Sequence, residues 1–217
     1  MRLSHSYSSI KLFENCPLRY YRQRIKKDVT DEGSDASKYG ERIHAFLEAR
    51  LKGSTLNAEA AQYEPLCQAV EKLAKNGELH IEKELVLTDN LTPTGWWESD
   101  AWLRSKLDIL VVVGKEAVVM DWKTGKRNPD FFQMQIFAAQ VFKHYPEVEQ
   151  VKTSLVWLKT MEMDTELYAR SRVNSVWAEI MTRIQRIHDA YEHGNWPARP
   201  SGLCRFCPCR HDCDYAV

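Results

Sequence analysis

The segment from Ser105 to Lys126, SKLDILVVVGKEAVVMDWKTGK, constrains this chain more than any other. Two apolar runs, Ile109 to Val113 and Val118 to Met120, lie on either side of a short turn around Gly114-Lys115. Apolar runs bounded by a turn read as adjacent buried strands, here Trp102 to Val113 and Glu116 to Lys123. Buried strands carry their charges at their tips, and these tips hold Asp108, Asp121 and Lys123. Residues two apart on a strand share a face, so Asp121 and Lys123 project together. Asp108 on the preceding strand is close enough to converge with Asp121. Two carboxylates beside an ammonium make a place for a hard divalent cation. Such a cation suits phosphodiester hydrolysis, where it activates water and offsets charge on the leaving oxygen. A DxK triplet alone is ordinarily a solvated strand face; the flanking apolar runs single this one out.

The rest of the chain supplies helices and further strands around that hairpin. Ser8-Ser9 can cap a short helix with Ile10, Phe13 and Cys16 on one stripe, ending at Cys16-Pro17. The acidic, small-residue stretch Asp28 to Ser37 reads as a loop. Ile43, Phe46, Leu47 and Leu51 recur at helical spacing over Ser37 to Lys52, and Gly53 stops that helix. A helix is expected over Ala58 to Lys75, and alternation over Leu79 to Leu87 predicts a strand. Asp130 to Tyr145 is an amphipathic helix, Val151 to Leu158 a buried strand and Asp164 to Ser171 an edge strand. Asn174 to His193 is the last long helix, and the proline- and cysteine-rich tail after Gly194 has no period. The expected class is mixed α/β with helical flanks.

Composition removes several alternatives. The 217 residues carry 30 Lys plus Arg against 30 Asp plus Glu, so any nucleic-acid contact must come from a local patch. Hydrophobic residues at 44% supply a core for a domain of this length. No run approaches the ~18 apolar residues of a membrane span, and MRLSHSYSS lacks the apolar stretch of a signal peptide. The expected location is the cytoplasm, where thiols stay reduced. Six cysteines are therefore read as ligands before they are read as disulfides. Cys204, Cys207, Cys209 and Cys213 crowd the C-terminal tail, while Cys16 and Cys67 stand alone; Cys67 reads as a small buried hydrophobe.

Taken in order, these motifs resemble the RecB-like branch of the PD-(D/E)XK nucleases, which includes the iron–sulfur exonucleases of CRISPR adaptation and AddB-type nuclease domains. Asp108 in KLDIL is similar to the family's first acid, and Asp121-Trp122-Lys123-Thr124-Gly125-Lys126 to its (D/E)xK strand with a TGK continuation. Gln133 resembles the Gln of QxxxY, with Phe137 where a tyrosine is usual; Gln135 is a rival on the opposite helix side. Gly40-Glu41-Arg42-Ile43-His44 resembles the GxxxH helix, and Ser8-Ser9-Ile10, Phe13, Cys16-Pro17 and Tyr20 an N-terminal SSI..F..CP..Y signature. Glu82 and Glu84 share a face of the first strand, and Glu82 resembles an accessory glutamate. Each motif alone is weak, and a lone histidine beside an apolar stripe is usually structural. Their order along Tyr7 to Cys213 carries the resemblance.

The resemblance implies a restriction-endonuclease-like mixed sheet forming one nuclease domain over 1–217. Its helical part is 1–76, its catalytic core 77–193 and its cysteine tail 194–217, packed on the N-terminal part. It implies a metal-dependent DNA exonuclease acting on single strands or free ends in recombination, repair or phage-type processing, in the cytoplasm of a bacterial or phage-infected cell. His44, Asp108, Asp121 and the Trp122 carbonyl would hold Mg²⁺ or Mn²⁺, Lys123 would position water and Gln133 would orient it. It also implies a [4Fe–4S] cluster on Cys16, Cys204, Cys207 and Cys213, stapling the two ends of the chain; zinc on the same ligands is the alternative. Cys209 fits as a free thiol or in place of Cys213.

Arg19 to Lys27, RYYRQRIKK, interleaves five cations with Tyr20 and Tyr21, the composition of a single-strand-binding surface or of an exposed helix face with buried tyrosines. Arg19, Tyr20, Arg22, Arg24, Lys126 and Arg127 are the candidate DNA contacts. Trp96 and Trp97, in the loop before the second strand, could stack a base or pack. A structure-specific endonuclease and a non-catalytic metal-stapled DNA-binding subunit are the rival readings. No membrane partner is expected, and a homo-oligomer or recombination partner protein fits the resemblance.

Overall fold

The computed structural model describes residues 3–216, whose backbone falls into two compact units. Unit 1 holds residues up to Ser4 and Ser34–Trp177, and unit 2 holds His5–Gly33 and Ala178 onward. In chain order the elements are α1 (Tyr7–Asn15), α2 (Pro17–Tyr20), α3 (Asp35–Leu51), α4 (Glu64–Ala74), β1 (Glu78–Leu87), β2 (Leu103–Val113), β3 (Glu116–Lys123), α5 (Phe132–His144), β4 (Gln150–Trp157), β5 (Glu162–Ala169) and α6 (Val173–Glu192). This is the mixed α/β order read from the sequence. Among the described residues no helix is long and apolar enough to cross a membrane.

Unit 1 is a five-stranded sheet in the order β1-β2-β3-β4-β5. Its pairs are antiparallel except β3–β4, which run parallel because α5 carries the chain from one to the other. Helix α5 is buried on nearly every side, which explains its apolar sequence from Phe132 to Phe142. It packs on one sheet face with Leu107, Val119, Val151 and Leu155, while α3 and α4 cover the other through Ile43, Leu47, Cys67 and Val70. Arg50 of α3 locks the second layer by donating to Glu64 and Glu71 of α4. The C-terminal end of α5 is closed from outside the helix. The Arg170 guanidinium donates to the carbonyl of Phe142 in the last turn, a group that a helix end leaves without a partner, and to those of Tyr145 and Val148 just beyond it, at 3.1, 2.7 and 2.6 Å.

The pleat of β1 and β2 breaks at one register position. Ile81 and Leu85 lie four residues apart, and Leu107 and Ile109 two apart, so an unbroken pleat would keep each pair on one face. Instead Ile81 and Ile109 pack toward α3 and α4, whereas Leu85 and Leu107 pack toward α5. The break falls between the Ile81–Ile109 and Lys83–Leu107 pairs, where Glu82 stands opposite Asp108. Glu82 has φ +55, a left-handed conformation that costs a non-glycine residue on the order of 1 kcal/mol or more.

Unit 2 joins the N-terminal helices to the second part of α6 and the tail. Helix α1 starts on a capping box in which the Ser6 and Ser9 side chains each accept the other's backbone N–H. Helix α2 continues as a π-helical turn over Tyr21–Lys26 and ends at Lys27 with φ 57. Trp196 stacks on Tyr20 and Tyr21, Leu18 N–H donates to Pro197 O, and Arg183 pairs with Glu14. His5 is buried with its Nε2 3.1 Å from His188 Nε2.

Candidate active site

Unit 1 gathers the acids, lysine, histidine and one glutamine of the sequence motifs around the middle of β2 and the C-terminal end of β3. The β2–β3 ladder stops at the Ile109–Met120 pair. One step further, the Asp108 side chain takes over the role of the backbone: its Oδ2 accepts the Trp122 N–H at 2.7 Å. Its other oxygen, Oδ1, faces His44 Nδ1 at 3.2 Å, and His44 Nε2 faces the Trp122 carbonyl at 2.9 Å. The pleat break at Glu82 and Asp108 is what turns this carboxylate toward α3.

Helix α3 makes a close approach to the site at Gly40. A Cβ there would stand 2.9 Å from Thr124 Oγ1, so a larger residue would require that hydroxyl to turn away. One helical turn on, His44 faces the strand ends.

Asp121 is 5% exposed, and Lys123 Nζ lies 2.6 Å from its Oδ2. The two form a close ion pair. Gln133, at the start of α5, bridges the pair: its Nε2 donates to Asp121 Oδ1 at 2.9 Å and its Oε1 accepts from Lys123 at 2.7 Å. Gln135 is not brought to these groups; its Oε1 is buried without a hydrogen-bond partner. Burial, with the Asp108 charge adding to it and Lys123 opposing it, pushes the Asp121 carboxyl up to about 6. For His44, burial works against the charged ring, but the hydrogen bond and charge of Asp108, then the charge of Asp121, lift it above the usual range. Geometry agrees. Both ring nitrogens face acceptors, which is satisfied when both carry protons.

One imidazole, two carboxylates and a backbone carbonyl form a donor set suited in kind to Mg²⁺ or Mn²⁺. The Oδ2 of buried Asp121 already faces the Lys123 ammonium at 2.6 Å, so this carboxylate sits where a positive charge is accommodated, and a metal ion there would take the place of that ammonium. Among the described residues no three His, Cys, Asp or Glu side chains are spaced to ligate one ion, because the donors satisfy one another. Ligation by His44 therefore requires it to give up a proton and one of its two present partners.

The sequence matches the model of the PD-(D/E)XK nuclease superfamily over residues 4–214. The chain belongs to that superfamily. A candidate exonuclease from Eubacterium rectale superposes with a TM-score of 0.56 at 16% identity, over 96% of this chain and 87% of that one, a likeness of fold. An alkaline exonuclease from Laribacter hongkongensis aligns at 12% identity with a TM-score of 0.36, over 88% of this chain and 90% of that one. No curated protein sequence matches.

In unit 2 of this PD-(D/E)XK chain, Cys16, Cys204, Cys207, Cys209 and Cys213 line one recess, together with Arg19, Arg199 and Arg210. All the cysteines are free thiols. Cys16, the residue before α2, accepts the Arg199 N–H on its sulfur at 3.5 Å, and Cys204 accepts the Ser201 N–H at 3.3 Å. Cys209 is buried, and that burial, with Cys207 beside it, pushes its thiol up to about 11. Cys67 is a core residue under α3.

The cations of the RYYRQRIKK segment are mostly engaged. Arg19 pairs with Asp31 at 2.6 Å, Arg22 with Asp28 and Asp212, and Lys26 with Asp28. Tyr20 is 1% exposed, so its ring is a core group rather than a stacking surface. Arg24 and Lys27 are exposed and line a recess with Ser8 and Thr30. In unit 1, Arg127 is held by Asp164 at 2.6 Å and by Glu162 at 3.0 Å, whereas Lys126 is exposed with no carboxylate partner among the described residues. Asp28 and Asp31 lie in the acidic stretch that follows the segment, whereas Asp212, Glu162 and Asp164 come from far along the chain, where no local pattern announces them.

Proposed function

We propose that this protein is a metal-dependent DNA exonuclease acting on single-stranded DNA or DNA ends. The convergence of His44, Asp108, Asp121, Lys123 and Gln133 in one unit carries the reading. His44, Asp108, Asp121 and the Trp122 carbonyl would hold Mg²⁺ or Mn²⁺, which supplies a water of lowered pKa and offsets charge at the phosphate. Lys123 holds its ammonium over the Asp121 carboxylate, where it orients an attacking water and counters negative charge developing on phosphorus. Gln133 fixes both side chains, so neither spends ordering entropy when substrate arrives. Lys126 and, in unit 2, Arg24 are the exposed cations assigned to phosphate contact, with Arg19, Arg22 and Arg127 tuned by their carboxylate partners. Within unit 2, Tyr20 supports the Arg24 segment from the core.

The test is direct. End-labelled single-stranded DNA and closed circular DNA are incubated with Mn²⁺, Mg²⁺ or EDTA, using the wild-type protein and Asp121→Ala. The expected result is metal-dependent loss of the linear strand alone, absent in the variant. Cleavage of the circle would instead indicate an endonuclease on the same fold. Folded protein that cuts neither substrate with any metal would overturn the catalytic reading.

Cys16, Cys204, Cys207 and Cys213 are proposed to hold a [4Fe–4S] cluster whose role is to close unit 2. Support comes from their shared recess and from backbone N–H groups aimed at two of the sulfurs, an arrangement that favours thiolates. Protein purified without oxygen should be coloured and carry about four irons per chain, and Cys16→Ser should lose both. Zinc in place of iron would show the alternative tetrahedral site.

A further inference from the structure

Trp97 is the most exposed large hydrophobic residue of the described chain, at 90%. It stands on the β1–β2 loop, and that loop is built rigidly. Leu87 bridges to Pro93, Thr94 N–H donates to Val86 O at 3.0 Å and Trp102 N–H donates to Leu87 O at 2.9 Å. The Thr94 hydroxyl donates to Asp100 at 2.9 Å, and the Arg104 guanidinium holds the Trp96 carbonyl at 3.0 Å. A fixed loop that leaves an indole in water forgoes the burial such a ring normally gains, on the order of 2 kcal/mol. That cost is understandable where a ligand covers the ring.

The position of the loop says which ligand. Strands β1 and β2 meet it at the end of the sheet where β3 delivers Asp121 and Lys123, since β2 runs antiparallel to both neighbours. The strand that carries Asp108 also carries Arg104, the anchor of the loop. From the start of β2 to Asp108 is about 17 Å at the usual rise per residue, a span covered by a few nucleotides of extended strand. The charges nearby are acidic or already engaged: Glu98 and Asp100 lie in the loop, and Lys106 pairs with Glu82 at 2.5 Å. With Arg104 turned onto the Trp96 carbonyl, the loop presents a neutral ring rather than a free cation, which favours a base over the backbone.

We propose that Trp97 stacks a base of the single strand whose phosphate lies at the Asp108–Asp121 centre, a substrate contact that rests on the nuclease reading above. Stacking needs a π-face and little else, so a sequence-tolerant contact at a fixed distance from the acids is the expected result.

The experiment uses the full chain carrying Asp121→Asn, so that DNA is bound without being cut. Affinity for a dye-labelled single-stranded oligonucleotide is measured by anisotropy, together with tryptophan emission, for this parent and with added Trp97→Ala or Trp97→Phe. Trp97→Ala should weaken binding by about tenfold, within the range of base stacking on an aromatic ring, and remove part of the emission quenching. Trp97→Phe should stay within about threefold of the parent, because a ring remains. Melting temperatures should be unchanged, since the ring buries nothing. Equal affinity and quenching in Trp97→Ala would overturn the stacking role alone and point the ring at a protein partner. A parent that binds no DNA would overturn the nuclease reading and this contact with it.

Discussion

Asp108→Asn should reduce DNA cleavage by at least about a hundredfold to a thousandfold, the loss typical when one preorganised electrostatic group is removed, while leaving the fold intact. The two halves of that expectation come from two oxygens. Oδ2 accepts the buried Trp122 N–H at 2.7 Å, beyond the last β2–β3 ladder pair, and an asparagine carbonyl can still accept it. Oδ1 faces His44, and there an amide NH₂ would meet a ring that already donates. Asparagine therefore removes the charge and the imidazole contact but keeps the strand end closed. Asp108→Ala removes both oxygens and leaves the Trp122 N–H without a partner, which should add a stability loss of about 1–3 kcal/mol. Cleavage of end-labelled single-stranded DNA and urea unfolding, run on both variants, separate the two roles. Asp108→Asn cutting within tenfold of wild type would remove Asp108 from the active centre.

Much of this site was legible because its parts obey local rules. Apolar runs tipped with charge announced β2 and β3, and helical spacing announced α3 and α5, with ends within a few residues of those observed. The glycine four residues before His44 gained its reason only in three dimensions, where α3 passes close to the Thr124 hydroxyl. The pleat break had no sequence signal at all. Glu82 adopts a left-handed backbone without being glycine or asparagine, and alternation reports burial only while it continues. Gln133 and Gln135 could not be separated by composition, since the choice depends on the rotation of α5 over the sheet. Charge runs misled for a related reason. RYYRQRIKK looked like five available cations, but Asp31, Asp28 and Asp212 neutralise three of them, and Tyr20 went to the core. The carbonyl cap by Arg170 was invisible because its acceptors lie more than twenty residues upstream.

His5 gives unit 2 an acid sensitivity that no motif suggested. The ring is 1% exposed, and burial, reinforced by the neighbouring His188 and Arg24, lowers its pKa from 6.5 to about 3. The folded protein thus keeps His5 neutral at pH values where the unfolded chain protonates it. Below about pH 6.5 the unfolded state binds a proton that the folded state refuses, so stability falls as pH falls, and the loss continues down to the folded value. The slope is about 1.4 kcal/mol per pH unit within that window. Between about pH 7.5 and pH 4.5, wild type should therefore lose about 2–3 kcal/mol more than His5→Asn, which retains a donor for His188 but does not titrate. Urea unfolding of both proteins at the two pH values measures the difference directly, because titration of groups remote from His5 cancels in the comparison. Parallel losses would mean that the His5–His188 contact opens to water before the chain unfolds, and the burial of the pair would then contribute nothing to acid sensitivity. A steeper loss in wild type would locate the acid-sensitive point of unit 2 where α1 begins and α6 passes.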